Sequence, residues 1–206
     1  MSLLATVGPR VLIPSVLLGP RIAAIQDPAV IAQTLAFTVL FITFATTVFV
    51  NPALAIIPGI AAAAYSYMLD DNDNTEAYRY SDWILTTPLM LIVILLKAKV
   101  ALTHIAGLIL TNSIMIMAGY KGTKSKDRDE RRKWFMLGCL AFIPILWTLS
   151  ALKATAAITL TLVMWTLYPI VWLASEESLI TGRTTTILYA GMDVISKVGL
   201  VYLLDA

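Results

Sequence analysis

From Pro28 to the end of the chain, apolar stretches of about 18 to 23 residues follow one another with short polar interruptions. At roughly 1.5 Å of rise per residue, a helix of that length crosses a hydrocarbon core of roughly 30 Å. A backbone inside lipid must satisfy its own hydrogen bonds, so repeated runs of this kind predict an all-α membrane protein. Composition agrees, with 59% hydrophobic and 14% charged residues over 206 positions and a mean hydropathy of +0.82. No stretch is left over for a separate soluble domain. The formal charge of +2 is too small, and its lysines and arginines too confined to loops, to point to nucleic acid. The one cysteine, Cys139, lies within an apolar run, which excludes an internal disulfide and reads as core packing.

Stop signals divide the runs. Asp27 is a natural N-cap and Pro28 a natural first helical residue, predicting a first helix over 28–50. Asn51-Pro52 then starts a second, 52–69, which ends in the polar run Asp70 to Glu76. Further spans are predicted over 78–97, 101–119, 132–150, 155–174 and 184–204. The chain therefore reads as an N-terminal segment, 1–27, and a seven-helix domain, 28–206. Pro9, Pro14 and Pro20 break the N-terminal segment, so it does not read as a cleavable signal peptide. With Arg10 and Arg21 it reads either as an interfacial stretch or as a loose tail.

The last span carries Asp193 and Lys197, four positions apart and hence on one helical face. Charges at bilayer depth are costly unless paired or set in a polar cavity, which makes them functional candidates. Two readings stand at this point: an ion pair tying helices together, or a lysine kept for the carbonyl chemistry of its amine.

Three stretches carry a resemblance. They are Tyr78-Arg79-Tyr80-Ser81-Asp82-Trp83-Ile84-Leu85-Thr86-Thr87-Pro88-Leu89 in the third span, Trp165-Thr166-Leu167-Tyr168-Pro169-Ile170-Val171-Trp172 in the sixth, and Asp193 with Lys197 in the seventh. Ile57-Pro58-Gly59 and Tyr65 in the second span and Asn112 to Gly119 in the fourth add to them. In this order they resemble the microbial rhodopsins, over about residues 28–206, and the fold implied is a seven-transmembrane-helix bundle of microbial rhodopsin type. The cofactor implied is all-trans retinal, bound covalently to Lys197 as a protonated Schiff base. By the same resemblance Asp82 is counterion and proton acceptor and Asp193 the second counterion. Arg79 offsets the excess negative charge, Thr86 hydrogen-bonds Asp82, and Tyr65 and Tyr168 hydrogen-bond Asp193. Trp83, Trp165 and Trp172 are expected to enclose the polyene. Thr87, Met90, Met115, Phe142 and Pro169 resemble further lining positions, and Ser196 is expected to shift absorption to shorter wavelength. No metal site is expected.

Function then turns on details. Outward proton pumps of this family usually carry a proton-donating carboxylate on the third helix beyond the acceptor; the matching residue here is Val93, among Leu91, Ile92, Ile94 and Leu95. The resemblance thus implies a light-driven outward proton pump with slow reprotonation. One alternative is a photosensor working through a transducer protein or its own conformation. Another is a light-gated cation channel, for which Gln33, Thr34, Thr38, Thr43, Thr46 and Thr47 would be the polar residues of the first helix. Glu177 resembles one of two release-side glutamates, with Thr185 at the other's position, while Glu176 and Glu177 also read as a solvated loop pair. His104 reads as a helix-end residue rather than a relay. Expected partners are membrane lipid, the transported proton, and further copies of the chain in a trimer or pentamer. The family places the N-terminus outside, although the run 121–133, with seven basic and three acidic residues, would then also be outside, against the positive-inside tendency.

Overall fold

The computed structural model describes residues 27–205; the expected N-terminal segment, apart from Asp27, lies outside them. The described residues form α1 (Pro28–Thr47), α2 (Pro52–Asp70), a 3-10 turn (Asn72–Asn74), α3 (Thr75–Lys97), α4 (Leu102–Lys124), α5 (Arg128–Ala151), α6 (Ala156–Glu176) and α7 (Gly182–Asp205). All seven α-helices are long and apolar enough to cross a membrane, and the protein is an integral, multi-pass membrane protein.

Local chemistry starts α1, α2 and α6 where the sequence suggests. The Asp27 carboxylate accepts from the Ala29 amide at 2.9 Å with Pro28 in the first turn, and Asn51 does the same for Leu54 at 3.3 Å ahead of Pro52. Asp127 and Thr155 cap α5 and α6, accepting from Glu130 at 2.9 Å and Ile158 at 3.2 Å. The third and sixth helices are closed by Lys99 and Ser178, both in the left-handed conformation (φ 59° and 60°). Beside them Val100 N–H donates to Leu95 C=O and Leu179 N–H to Ala174 C=O, the wrapped end that usually employs glycine. Pro58, Pro88, Pro144 and Pro169 lie inside helices, as membrane helices tolerate.

The expected run of 121–133 as a loop is corrected. Helix α4 continues through Lys124 and α5 begins at Arg128, leaving only residues 125–127 between them. Lys121 and Lys124 fall in the last turn of α4 and Asp129 and Glu130 in the first turn of α5. These four charges complement the helix dipoles and outweigh Arg128 at the start of α5, so polar residues extend both helices instead of ending them.

Consecutive helices pack side by side and α7 returns to α1, closing a ring in which α5 and α6 touch least. Small buried residues, among them Ala36, Ala61, Ala62, Ala64 and Ala190, let α1, α2 and α7 approach closely. A larger core of Met90, Leu91, Leu95, Phe142, Ile145 and Trp165 fills the space between α3, α5 and α6. Outward-facing Phe41, Leu102, Leu110, Trp147 and Ile170 are exposed, an apolar perimeter suited to lipid.

Candidate functional site

Two helical stripes build the centre. On α7, Thr185, Tyr189, Asp193, Lys197 and Val201 recur every fourth residue and are all buried; on α3, Arg79, Asp82, Trp83, Thr86 and Met90 share one face at helical spacing and are also buried. Facing each other, they bring Asp82 to Lys197 across 115 positions of sequence. The Lys197 Nζ donates to Asp82 Oδ2 and to Asp193 Oδ1, both at 2.8 Å. Lys197 is 2% exposed and Asp193 fully enclosed, so each charge depends on these partners.

The two carboxylates are held differently. Asp193 accepts, besides Lys197, from Tyr65 Oη and Tyr168 Oη at 2.8 Å each and from Trp83 Nε1 at 3.1 Å. The sequence reading named the two tyrosines and missed the tryptophan, whose position one residue after Asp82 gives no signal of where its N–H points. Asp82 keeps a buried Oδ1 without a hydrogen-bond partner. Thr86 does not supply one: its hydroxyl donates to the main-chain carbonyl of Asp82 at 2.9 Å, because a threonine hydroxyl in a helix reaches the i−4 carbonyl first. Arg79 likewise makes no ion pair with either carboxylate. Its guanidinium lies over the Tyr189 ring, 4.7 Å from the centroid, with Nε unpartnered.

Above Lys197 an almost wholly apolar cavity opens. Of the expected residues, Trp83, Thr87, Met90, Met115, Phe142, Trp165, Tyr168, Pro169, Trp172, Asp193, Ser196 and Lys197 line it. Tyr65 does not; it reaches only the far oxygen of Asp193. The sequence reading missed Tyr80, Ile116, Gly119, Trp134, Phe135, Gly138, Cys139 and Tyr189. Helical spacing from Phe142 would have found Cys139, Gly138 and Phe135, and spacing from Asp193 would have found Tyr189. Cys139, expected in the core, is a half-buried wall residue. Below the wall, Thr87 bonds the Trp83 carbonyl and accepts from Asn112 Nδ2 at 2.7 Å.

The remaining candidates lie elsewhere. Glu177 is engaged by Arg128 and, at 3.5 Å, by Arg132. The Arg128 guanidinium holds its carboxyl below the usual carboxylate range. Glu176 pairs with Arg131 at 3.1 Å, and Thr185 donates to Ser175 at 2.9 Å rather than to either glutamate. These arginines replace the solvated loop pair with a clasp between α5 and α6. His104 bonds Thr148 at 3.1 Å and is exposed. Thr34, Thr38, Thr43 and Thr46 all donate back to carbonyls of their own helix. Val93 packs against the main core.

Residues 25–205 match the family model for the bacteriorhodopsin-like proteins. Archaerhodopsin-2 of Halobacterium sp. (strain aus-2) is 32% identical over 177 residues, covering 72% of this chain and 68% of that protein. The thermophilic rhodopsin of Rubrobacter xylanophilus superposes with a TM-score of 0.74 at 27% identity, over 85% of this chain and 94% of the other. The light-driven proton pump rhodopsin of Coccomyxa subellipsoidea shares the fold, with a TM-score of 0.76 at 24% identity, over 85% and 95%. Residues 25–205 thus carry the sequence pattern of one family and the described residues its bundle, and the chain belongs to the bacteriorhodopsin-like microbial rhodopsins.

Proposed function

We propose that this protein is a light-driven outward proton pump in which all-trans retinal is bound covalently at Nζ of Lys197. The observation that carries the reading is that nitrogen itself: buried, 2.8 Å from two carboxylates, and opening into an aromatic-walled cavity. The residues suit that group. An apolar polyene meets Trp83, Trp165 and Trp172, while its attachment point meets the acceptor oxygens that a cationic nitrogen requires. When bound, retinal supplies a light-driven isomerisation that alters the proton affinity of the nitrogen to which it is joined.

The chain does the rest. Asp82 Oδ2 already accepts from Nζ, and its free Oδ1 leaves room for a proton to be held. Asp193, whose oxygens are occupied by Tyr65, Tyr168 and Trp83, stays charged and holds the site in register. Arg79, buried one turn before Asp82 on α3, supplies the balancing positive charge. Beyond Asp82, α3 offers no acidic side chain, only the core-packed Leu91, Val93, Ile94 and Leu95. Return of a proton to Nζ therefore relies on water and is slow. That slowness also favours a photosensory reading, since a long-lived state can signal to a transducer protein.

Cells expressing the protein and supplied with retinal should acidify their medium on illumination, and an uncoupler should abolish the change. Light-driven colour change without proton movement would favour the sensor instead. Lys197→Ala should remain colourless in the same cells; a covalently bound pigment in that variant would overturn the assignment.

A further inference from the structure

Two cavities meet at a shared wall. Tyr80, Trp172 and Tyr189 close the Lys197 cavity at its Arg79 end, and the same three side chains face a smaller cavity lined also by Arg79, Glu176 and Thr185. That smaller space mixes charged and hydroxyl groups with the aromatic wall, and the buried Arg79 Nε within its lining has no partner. Water drawn toward Arg79 is therefore separated from the apolar Lys197 cavity by aromatic rings from three different helices.

What joins two of these rings comes from a fourth helix. Trp172 Nε1 donates to Thr123 Oγ1 at 2.9 Å, and Tyr80 Oη lies 3.2 Å from the same oxygen. Thr123 gives its own proton to the Gly119 carbonyl at 3.1 Å, so its two acceptor sites are free for Trp172 and Tyr80 together. The approach of α4 depends on glycine: a Cβ at Gly119 would sit 3.1 Å from the Tyr80 ring, and one at Gly122 2.8 Å from Trp172. On its other side Trp172 stacks on Phe135, centroids 5.1 Å apart and planes 9° from parallel.

We propose that Thr123 is a positioning residue that locks Tyr80 and Trp172 into a partition, barring water of the Arg79 cavity from the apolar cavity that opens at Lys197. Its effect on a pigment rests on the reading of Lys197 as the retinal-bearing residue; the partition itself does not. Thr123→Val keeps the shape and removes both acceptor sites, leaving two aromatic donors unpaired.

The test uses two readouts on the full chain. Dark bleaching of the retinal-bound protein by hydroxylamine should run at least about tenfold faster in Thr123→Val, which loses both bonds that hold the partition, and at the wild-type rate in Thr123→Ser. In the retinal-free protein, reductive methylation of Lys197 by formaldehyde with cyanoborohydride as hydride donor, quantified by mass spectrometry, should accelerate in the same order. Equal rates for wild type and Thr123→Val in both assays would overturn the partition. If the wild type forms no pigment yet methylation rises in Thr123→Val, the retinal reading fails and the partition stands. Should Thr123→Val not fold, Tyr80→Phe carries the test: faster methylation supports the partition and an unchanged rate overturns it.

Discussion

The Lys197 Nζ is equidistant from one oxygen of Asp82 and one of Asp193, yet the other oxygens have unlike company. On Asp193, Tyr65 occupies Oδ2, while Tyr168 and Trp83 crowd Oδ1 beside the lysine; on Asp82, Oδ1 has no partner at all. Removing either carboxylate should therefore have different effects. Asp82→Asn takes away a negative charge beside the nitrogen without disturbing the tyrosines, and should red-shift the retinal-bound protein and stop proton transport; transport at the wild-type rate would remove Asp82 as acceptor. Tyr65→Phe strips a donor from a fully buried oxygen. It should lower stability by about 1–3 kcal/mol, read as a fall in melting temperature, with covalent pigment still forming because Tyr65 does not line the cavity. The identities of Asp82, Asp193 and Lys197 were legible as charges inside apolar spans. The direction in which Thr86 and Arg79 point was not, since a hydroxyl choosing its own helix or a guanidinium choosing a ring leaves no trace in spacing.

Helix ends show a similar division. Those set by Asp27-Pro28 and Asn51-Pro52 were readable, because a capping side chain and a ring with fixed φ are local effects. The junction of α4 and α5 was not, because charged residues complementing helix dipoles look like a loop when hydropathy alone is followed. The same charged turns give α5 its hold on α6. These two helices pack least among neighbours, and Arg128, Arg131 and Arg132 grip Glu176 and Glu177 at one end. Since Arg128 holds the Glu177 carboxyl below its ordinary range, the contribution of that pair is complete above the unfolded value of about 4.3 and is lost as pH falls through the depressed one. Thermal unfolding should thus show a small loss of stability below about pH 4 that is reduced in Glu177→Gln and weakened by salt. An identical acid profile in that variant would assign the loss to other carboxylates.

At the scale of the whole molecule, seven spans and their interior faces follow from apolar length and helical period, and the stripes on α3 and α7 fix where the charges meet. The cavity's α5 wall was legible only through helical spacing from Phe142, because Phe135, Gly138 and Cys139 carry no chemistry of their own that points to a site. The apolar half of α3 around Val93 bears on how such a molecule responds to brightness. If each turnover waits for a proton to cross that plug, photons arriving during the wait are wasted, and transport reaches its ceiling in dim light. The irradiance giving half-maximal transport should then fall as the pH on the supplying side rises, and Val93→Asp should move it upward. Photocurrent recorded against irradiance at two pH values reads this directly, and curves that coincide would exclude proton supply as the limiting step. If the proposed pumping cycle holds, such a protein works near its ceiling in faint or shaded illumination, where an internal proton donor would bring it little.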